Sequence, residues 1–220
     1  MDVDVVLPCL DEALALETLL RAVPNGLHPI VVDNGSTDGS STVAEGLGAT
    51  VLLEPQRGYG AACHTGLTAA TADLVAFCDA DASVDLNDVL TLADVVADGD
   101  AELVIGRRNA APGAWPLHAR LANAALSLPM SVAARHRLHD LGPVRLARRA
   151  GLVGLDVRDR RSGYALETVL RASRAGWRVR EAPIGYVPRL GRSKVTGTAR
   201  GTLGAVASMS RVLVYGGWVP

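Results

Sequence analysis

Two carboxylates one residue apart, Asp79 and Asp81, follow the short apolar run 74–78. Such a run reads as a buried strand, and alternate strand residues share a face, so both aspartates project to the same side as the chain leaves the sheet. Hard oxygen ligands in that arrangement suit Mg²⁺ or Mn²⁺, with water and a substrate's phosphates filling the other positions. The same pair is also ordinary turn chemistry, so its companions carry weight. Asp33 ends another apolar run, where acids of nucleotide-binding α/β folds hydrogen-bond a ribose or base. It could equally cap the turn Asn34-Gly35-Ser36-Thr37-Asp38-Gly39. Arg57 enters Gly58-Tyr59-Gly60, a helix start that fits a phosphate contact or plain packing. Arg107 closes a later strand. Asp140 precedes Gly142-Pro143 on a rigid turn, as a supporting acid, a general base or a cap. Arg189, Arg192 and Lys194 share one loop, which could clamp phosphate oxygens or remain solvated. Glu167 reads as a surface helix residue, and the five histidines share no ligand spacing.

Strands are expected at 4–8, 29–33, 49–53, 74–78 and 101–105, separated by helices at about 11–23, 39–47, 57–71 and 86–97. That alternation predicts right-handed crossovers and a mostly parallel central sheet flanked by helices. Ligands of such sheets bind beyond the carboxyl ends of the strands, where Asp33, Asp79 and Arg107 fall. After 107 the pattern loosens. A helix over 117–134 breaks near Pro129, and a short strand follows residue 145. A helix at 164–175, a strand at 178–183 and an amphipathic tail over 202–214 complete the chain. The tail repeats Leu203, Val206, Met209, Val212 and Leu213 at helical spacing, for packing on the domain or partial membrane contact. One domain is expected over 1–220, with 1–107 as a nucleotide-binding half and 108–220 as an acceptor-side half. Asp79-Ala80-Asp81 also evokes haloacid-dehalogenase phosphatases, but their nucleophile ends the first strand and this pair follows the fourth.

Hydrophobic residues make up 49% of the 220, with only 4% aromatic, which suits an aliphatic parallel sheet. No uninterrupted apolar run reaches the roughly 18–20 residues of a bilayer span, nor does the chain open on a secretory signal. A cytoplasmic protein is expected, with peripheral contact at the inner face of the cell membrane. Cys9, Cys63 and Cys78 read as buried, reduced residues. The net charge of −1 conceals an asymmetry. Residues 1–106 hold 18 Asp/Glu and 2 Arg, a net −16, whereas 107–220 hold 5 Asp/Glu and 20 Arg/Lys, a net +15. A cationic half beside an acidic site suits phosphate-rich substrates or an anionic membrane. Nucleic acid is disfavoured, because no basic stripe interleaves with aromatics.

Taken together, these residues resemble the family 2 inverting glycosyltransferases of GT-A fold, nearest the branch of polyprenyl- and dolichyl-phosphate mannosyl- and glucosyltransferases. The resemblance rests on Leu7-Pro8-Cys9-Leu10-Asp11-Glu12, the Val32–Gly39 stretch, Gly58-Tyr59-Gly60, Asp79-Ala80-Asp81, Asp140–Arg145 and Gly191-Arg192-Ser193-Lys194. It implies a GT-A-type α/β enzyme, dependent on Mg²⁺ or Mn²⁺, that moves a hexose from a GDP-mannose- or UDP-glucose-type donor. The first expected acceptor is a polyprenyl phosphate. The alternatives are a soluble hydroxyl acceptor or a silent relative that binds nucleotide sugar. By the same resemblance Pro8 and Glu12 line the nucleotide pocket, and Asp33 contacts the base. Asp79 approaches the ribose or metal, and Asp81 ligates the ion. Arg107, Arg145, Arg192 and Lys194 are candidates for donor or acceptor phosphates, with Arg57 beside them. Asp81, Asp140 and Arg145 are the catalytic candidates, Asp140 serving as base to a hydroxyl acceptor. Relatives often follow Asp-x-Asp with Gln and His, where this chain has Ala82-Ser83-Val84, so water is expected as the third ligand. Many relatives carry C-terminal membrane helices that these residues do not show, so stable membrane insertion is not expected, and a homodimer is an assembly the sequence leaves open.

Overall fold

The computed structural model describes residues 1–191 and 199–215. Its first half alternates as the apolar periodicity requires. Strand β1 (Val3–Cys9) leads to α1 (Ala13–Arg21), β2 (Leu27–Asp33) to α2 (Ser40–Gly46), and β3 (Thr50–Leu53) to α3 (Tyr59–Ala69). Strand β4 (Leu74–Cys78), every residue of it buried, precedes α4 (Leu86–Ala97). Then come β5 (Leu103–Ala110), α5 (Leu117–Ala134), β6 (Val144–Arg148) and α6 (Arg149–Gly154). The chain finishes with α7 (Tyr164–Arg174), β7 (Val179–Tyr186) and α8 (Ala199–Tyr215).

One seven-stranded sheet runs in the order β3-β2-β1-β4-β6-β5-β7. All neighbours are parallel except β6, which lies antiparallel between β4 and β5. The mostly parallel α/β sheet expected from the sequence is therefore present, interrupted by one reversed strand. Successive residues of β1 face opposite layers. Val3, Val5 and Leu7 pack with α1, α2 and α4, while Val6 packs with α3, α6 and α7 on the other face. Burying both faces of the sheet is what requires near-continuous Val, Leu and Ala.

Strand β5 continues to Ala110, beyond the end expected at Ile105, because β7 pairs with it as far as Ala110↔Tyr186. Strand β6 pairs with β5 only up to Gly106↔Val144, so the ends of β5 and β7 project past the sheet as a two-stranded ribbon. Helix α5 runs through Pro129 where a break was expected. The Ser127 and Ser131 hydroxyls donate to the Asn123 and Ser127 carbonyls around that turn, at 2.9 and 2.7 Å. Helix α8 buries Ala205, Ser208 and Val212 but exposes Val206, one of the residues placed on its apolar face. Among the described residues no helix is long and apolar enough to cross a membrane.

Candidate active site

Strands β1, β2 and β4 end at one edge of the sheet, and a cleft of about 520 Å³ opens beyond them. Pro8 near the end of β1, Glu12 after it, Asn34 after β2, and Asp79 and Asp81 after β4 form one wall. Arg108 and Tyr186 of the ribbon, with Trp115 and Arg189, form the other.

Asp79 and Asp81 face this single cleft. Burial, and next the Asp81 charge, raise the Asp79 carboxyl from the usual carboxylate range to about 6. Asp81 is buried; its Oδ1 accepts from the Ser83 amide at 3.1 Å and the Ser83 hydroxyl at 2.5 Å. Its Oδ2 lies 3.4 Å from Arg189 Nη1. Directly after Asp81, Ala82 adopts φ 56°, a left-handed conformation that disfavours a residue with a Cβ. Strain of this kind persists only where surrounding contacts impose it. Here the segment after β7 does so, through Val187 N–H to the Ser83 carbonyl and Leu190 N–H to the Asp81 carbonyl, both 3.0 Å. The same two bonds deliver Arg189, whose Nη2 reaches Glu12 Oε1 at 2.5 Å. Two neighbouring carboxylates, Asp79 raised by the charge of Asp81 and Asp81 met by a guanidinium, form a donor set that fits a divalent cation. Among the described residues no group of three or more His, Cys, Asp or Glu gathers, so water and substrate would supply the remaining ligands.

Arg108 is a second cation of the opposite wall, beside Arg189. Its guanidinium stands 5.0 Å from the ring centroids of both Trp115 and Tyr186. Asp140 fixes it from behind, accepting from Arg108 Nη1 at 2.6 Å and from the Arg108 amide at 2.9 Å. A second pocket, of about 290 Å³, adjoins Arg108 and Trp115 and includes Arg120.

Of the residues singled out from sequence, Pro8, Glu12, Asp79 and Asp81 meet in the cleft. Asp33 does not line it: its Oδ1 accepts from the Gly35 and Ser36 amides at 3.0 and 2.7 Å, and its Oδ2 from the Ser41 hydroxyl. The aspartate holds the turn, and those bonds outweigh burial to lower its pKa. Arg57 is exposed and lies over Gly35, donating to the Asn34 carbonyl at 2.8 Å. The glycines after it serve packing. A Cβ on Gly58, whose φ is +150°, would stand 2.1 Å from the Arg160 carbonyl oxygen.

Arg107 sits within β5, not at its end, and faces solvent, while strand alternation turns its neighbour Arg108 inward. Asp140 is 1% exposed; Oδ1 also accepts from the Gly142 amide at 2.9 Å, so both oxygens are engaged away from the cleft. Arg145 is 2% exposed beneath the cleft floor, donating to the Gly142 carbonyl at 2.8 Å and to the Tyr59 hydroxyl. A guanidinium so enclosed does not reach substrate; its charge lowers the energy of ionised Asp79. Arg192 and Lys194 lie outside the described residues. Glu167, read as a surface residue, is buried and accepts from the Arg158 and Asp159 amides and Arg171 Nε. Arg108, Trp115 and Tyr186 were not assigned to the site; for Arg108 and Tyr186 the face of β5 and the approach of β7, both tertiary facts, identify them.

The fold and site define a GT-A-type nucleotide-diphospho-sugar transferase architecture. Residues 4–151 match glycosyl transferase family 2, and the chain belongs to that family. An uncharacterised glycosyltransferase of Mycobacterium tuberculosis is 47% identical over 215 residues, covering 96% of this chain and 97% of that protein. A dolichyl-phosphate hexose transferase of Haloferax volcanii is 25% identical over 203 residues, covering 91% of this chain and 89% of its own. Glucosyl-3-phosphoglycerate synthase of M. tuberculosis, crystallised with Mn²⁺, UDP and phosphoglyceric acid, superposes with a TM-score of 0.78. It shares 21% identity over all of this chain and 79% of that one, a likeness of fold. The chain is a glycosyltransferase.

Proposed function

We propose that this glycosyltransferase transfers a hexose, with inversion, from a UDP-sugar to a small phosphate-bearing acceptor. The observation that carries the reading is the opposition, within one cleft, of the Asp79–Asp81 pair and Arg108. UDP, Mn²⁺ and a phosphorylated acid occur together in the structurally similar synthase, which supports both the donor and the acceptor class. A divalent ion held by Asp79 and Asp81 would act as Lewis acid toward the charge that develops on the departing diphosphate. Arg189, within 3.4 Å of Asp81, is in reach of the same oxygens and adds charged hydrogen bonds there. Arg108, held rigid by Asp140 and two aromatic rings, orients the acceptor's anionic group on the far side of the sugar. Attack from that side inverts the anomeric centre. With its oxygens occupied, Asp140 positions Arg108 and takes no proton from the acceptor.

A second source of the same phosphate chemistry is a polyprenyl phosphate, which the likeness to the Haloferax volcanii transferase supports. Labelled UDP-glucose or GDP-mannose with Mn²⁺, offered 3-phosphoglycerate-type acids in one arm and polyprenyl phosphate in detergent in the other, distinguishes the two. The expected result is a water-soluble labelled product from UDP-glucose. Label in the lipid phase alone would transfer the reading to the lipid acceptor. No product in either arm, with donor binding intact, would overturn the acceptor assignment.

A further inference from the structure

Helix α5 presents an apolar face to solvent. Leu117, Leu121, Leu128 and Val132 are 69%, 64%, 70% and 72% exposed. At about 100° per residue the four fall within an arc of about 60°, and exposed Ala124 and Ala125 border it. Surface leucines scattered singly need no explanation, but four aligned along one helix do. The opposite side of α5 is conventional, burying Asn123, Ser127 and Met130.

Charge identifies what covers this face. From residue 103 to 139 the chain holds five arginines and three histidines and not one Asp or Glu. Arg120 stands beside the apolar arc, and exposed Arg135, His136 and Arg137 follow the end of the helix. The first acid afterwards is Asp140, which is buried on Arg108. A second copy meeting it through the same face would bring the same cationic surface and no acidic one. An anionic bilayer answers both features, because its acyl boundary takes the leucines and its headgroups take the arginines.

We propose that α5 docks the enzyme peripherally on an anionic membrane surface, its apolar face lying in the interface. Trp115, Pro116 and Ala119, at the start of α5, also line the cleft, so docking sets the cleft mouth beside the headgroups. The inference concerns the surface on which the enzyme works and holds for either source of acceptor phosphate.

Flotation with phosphatidylcholine vesicles, with and without about one third phosphatidylglycerol, tests it. The wild-type chain is expected to float with the anionic vesicles at low salt, to remain below with the neutral ones, and to release at high salt. Leu121→Asp with Leu128→Asp should weaken flotation by about tenfold or more, since charges replace the inserted side chains. Arg135→Glu with Arg137→Glu should abolish the preference for anionic vesicles. Both pairs lie on exposed positions, so thermal unfolding and UDP–Mn²⁺ binding should match wild type and exclude misfolding. Failure of the wild type to float, or flotation unchanged by both pairs, overturns the proposal. So does a dimer in sedimentation velocity that Leu121→Asp/Leu128→Asp dissociates without any vesicle binding, which would assign the face to a second copy.

Discussion

Burial and the adjacent Asp81 charge lift the Asp79 carboxyl to about 6, well above the roughly 3.9 of an unfolded chain. The folded protein therefore holds a proton that the unfolded chain releases between about pH 4 and pH 6. Stability falls as pH rises through that window, and the deficit persists above it. Asp79→Asn removes the ionisable group. Its melting temperature without metal should exceed that of wild type by a few degrees at pH 7.5, given ~2–4 °C per kcal/mol at this size. The gap should close as pH falls toward 4.5, while Mn²⁺-dependent donor binding is lost at every pH. Equal melting temperatures at pH 7.5 would show that the pair is not strained. At Asp140, substitution by Asn weakens the hold on Arg108 and should raise the acceptor KM by about tenfold, with donor binding unchanged. A loss confined to kcat, together with loss of the basic limb of the pH profile, would instead make Asp140 a base.

Glu167, 1% exposed, ties the start of α7 to the loop before it through two backbone amides and accepts a third bond from Arg171 of its own helix. That loop carries the Arg160 carbonyl against Gly58, so α3 and its cleft residue Tyr59 depend on it. Glu167→Ala strands a half-buried Arg171 and two amides, and should cost on the order of 3 kcal/mol in denaturant unfolding. A cost below about 0.5 kcal/mol would place the loop's anchor elsewhere. The parallel half of the sheet was legible because its strands are continuous apolar runs ended by turn residues. Asp79 and Asp81 were legible because alternation alone puts them together. Arg145 was not, since the insertion of β6 between β4 and β5 is a long-range pairing with no local signal. Arg107 was chosen over Arg108 because a sequence shows that neighbours alternate but not which face meets the cleft. Asp33 and Asp140 were read as functional acids because their partners, the Gly35 and Ser36 amides and Arg108, are known only from the folded turn and ribbon.

Among the described residues, ion pairs join the acidic first half to the cationic second half: Arg189 with Glu12 and Asp81, and Arg178 with Glu102. The acidic half contributes the paired carboxylates, and the segment after β7 brings Arg189 across to them. If the pair holds a cation, nucleotide and cation binding are expected to depend on each other, since each supplies ligands or charge that the other lacks. Isothermal titration of UDP with and without Mn²⁺, on wild type and Asp81→Ala, measures this dependence directly. Mn²⁺ is expected to tighten UDP at least tenfold in wild type and to have no effect in Asp81→Ala. Equal UDP affinity with and without the ion in wild type would contradict it.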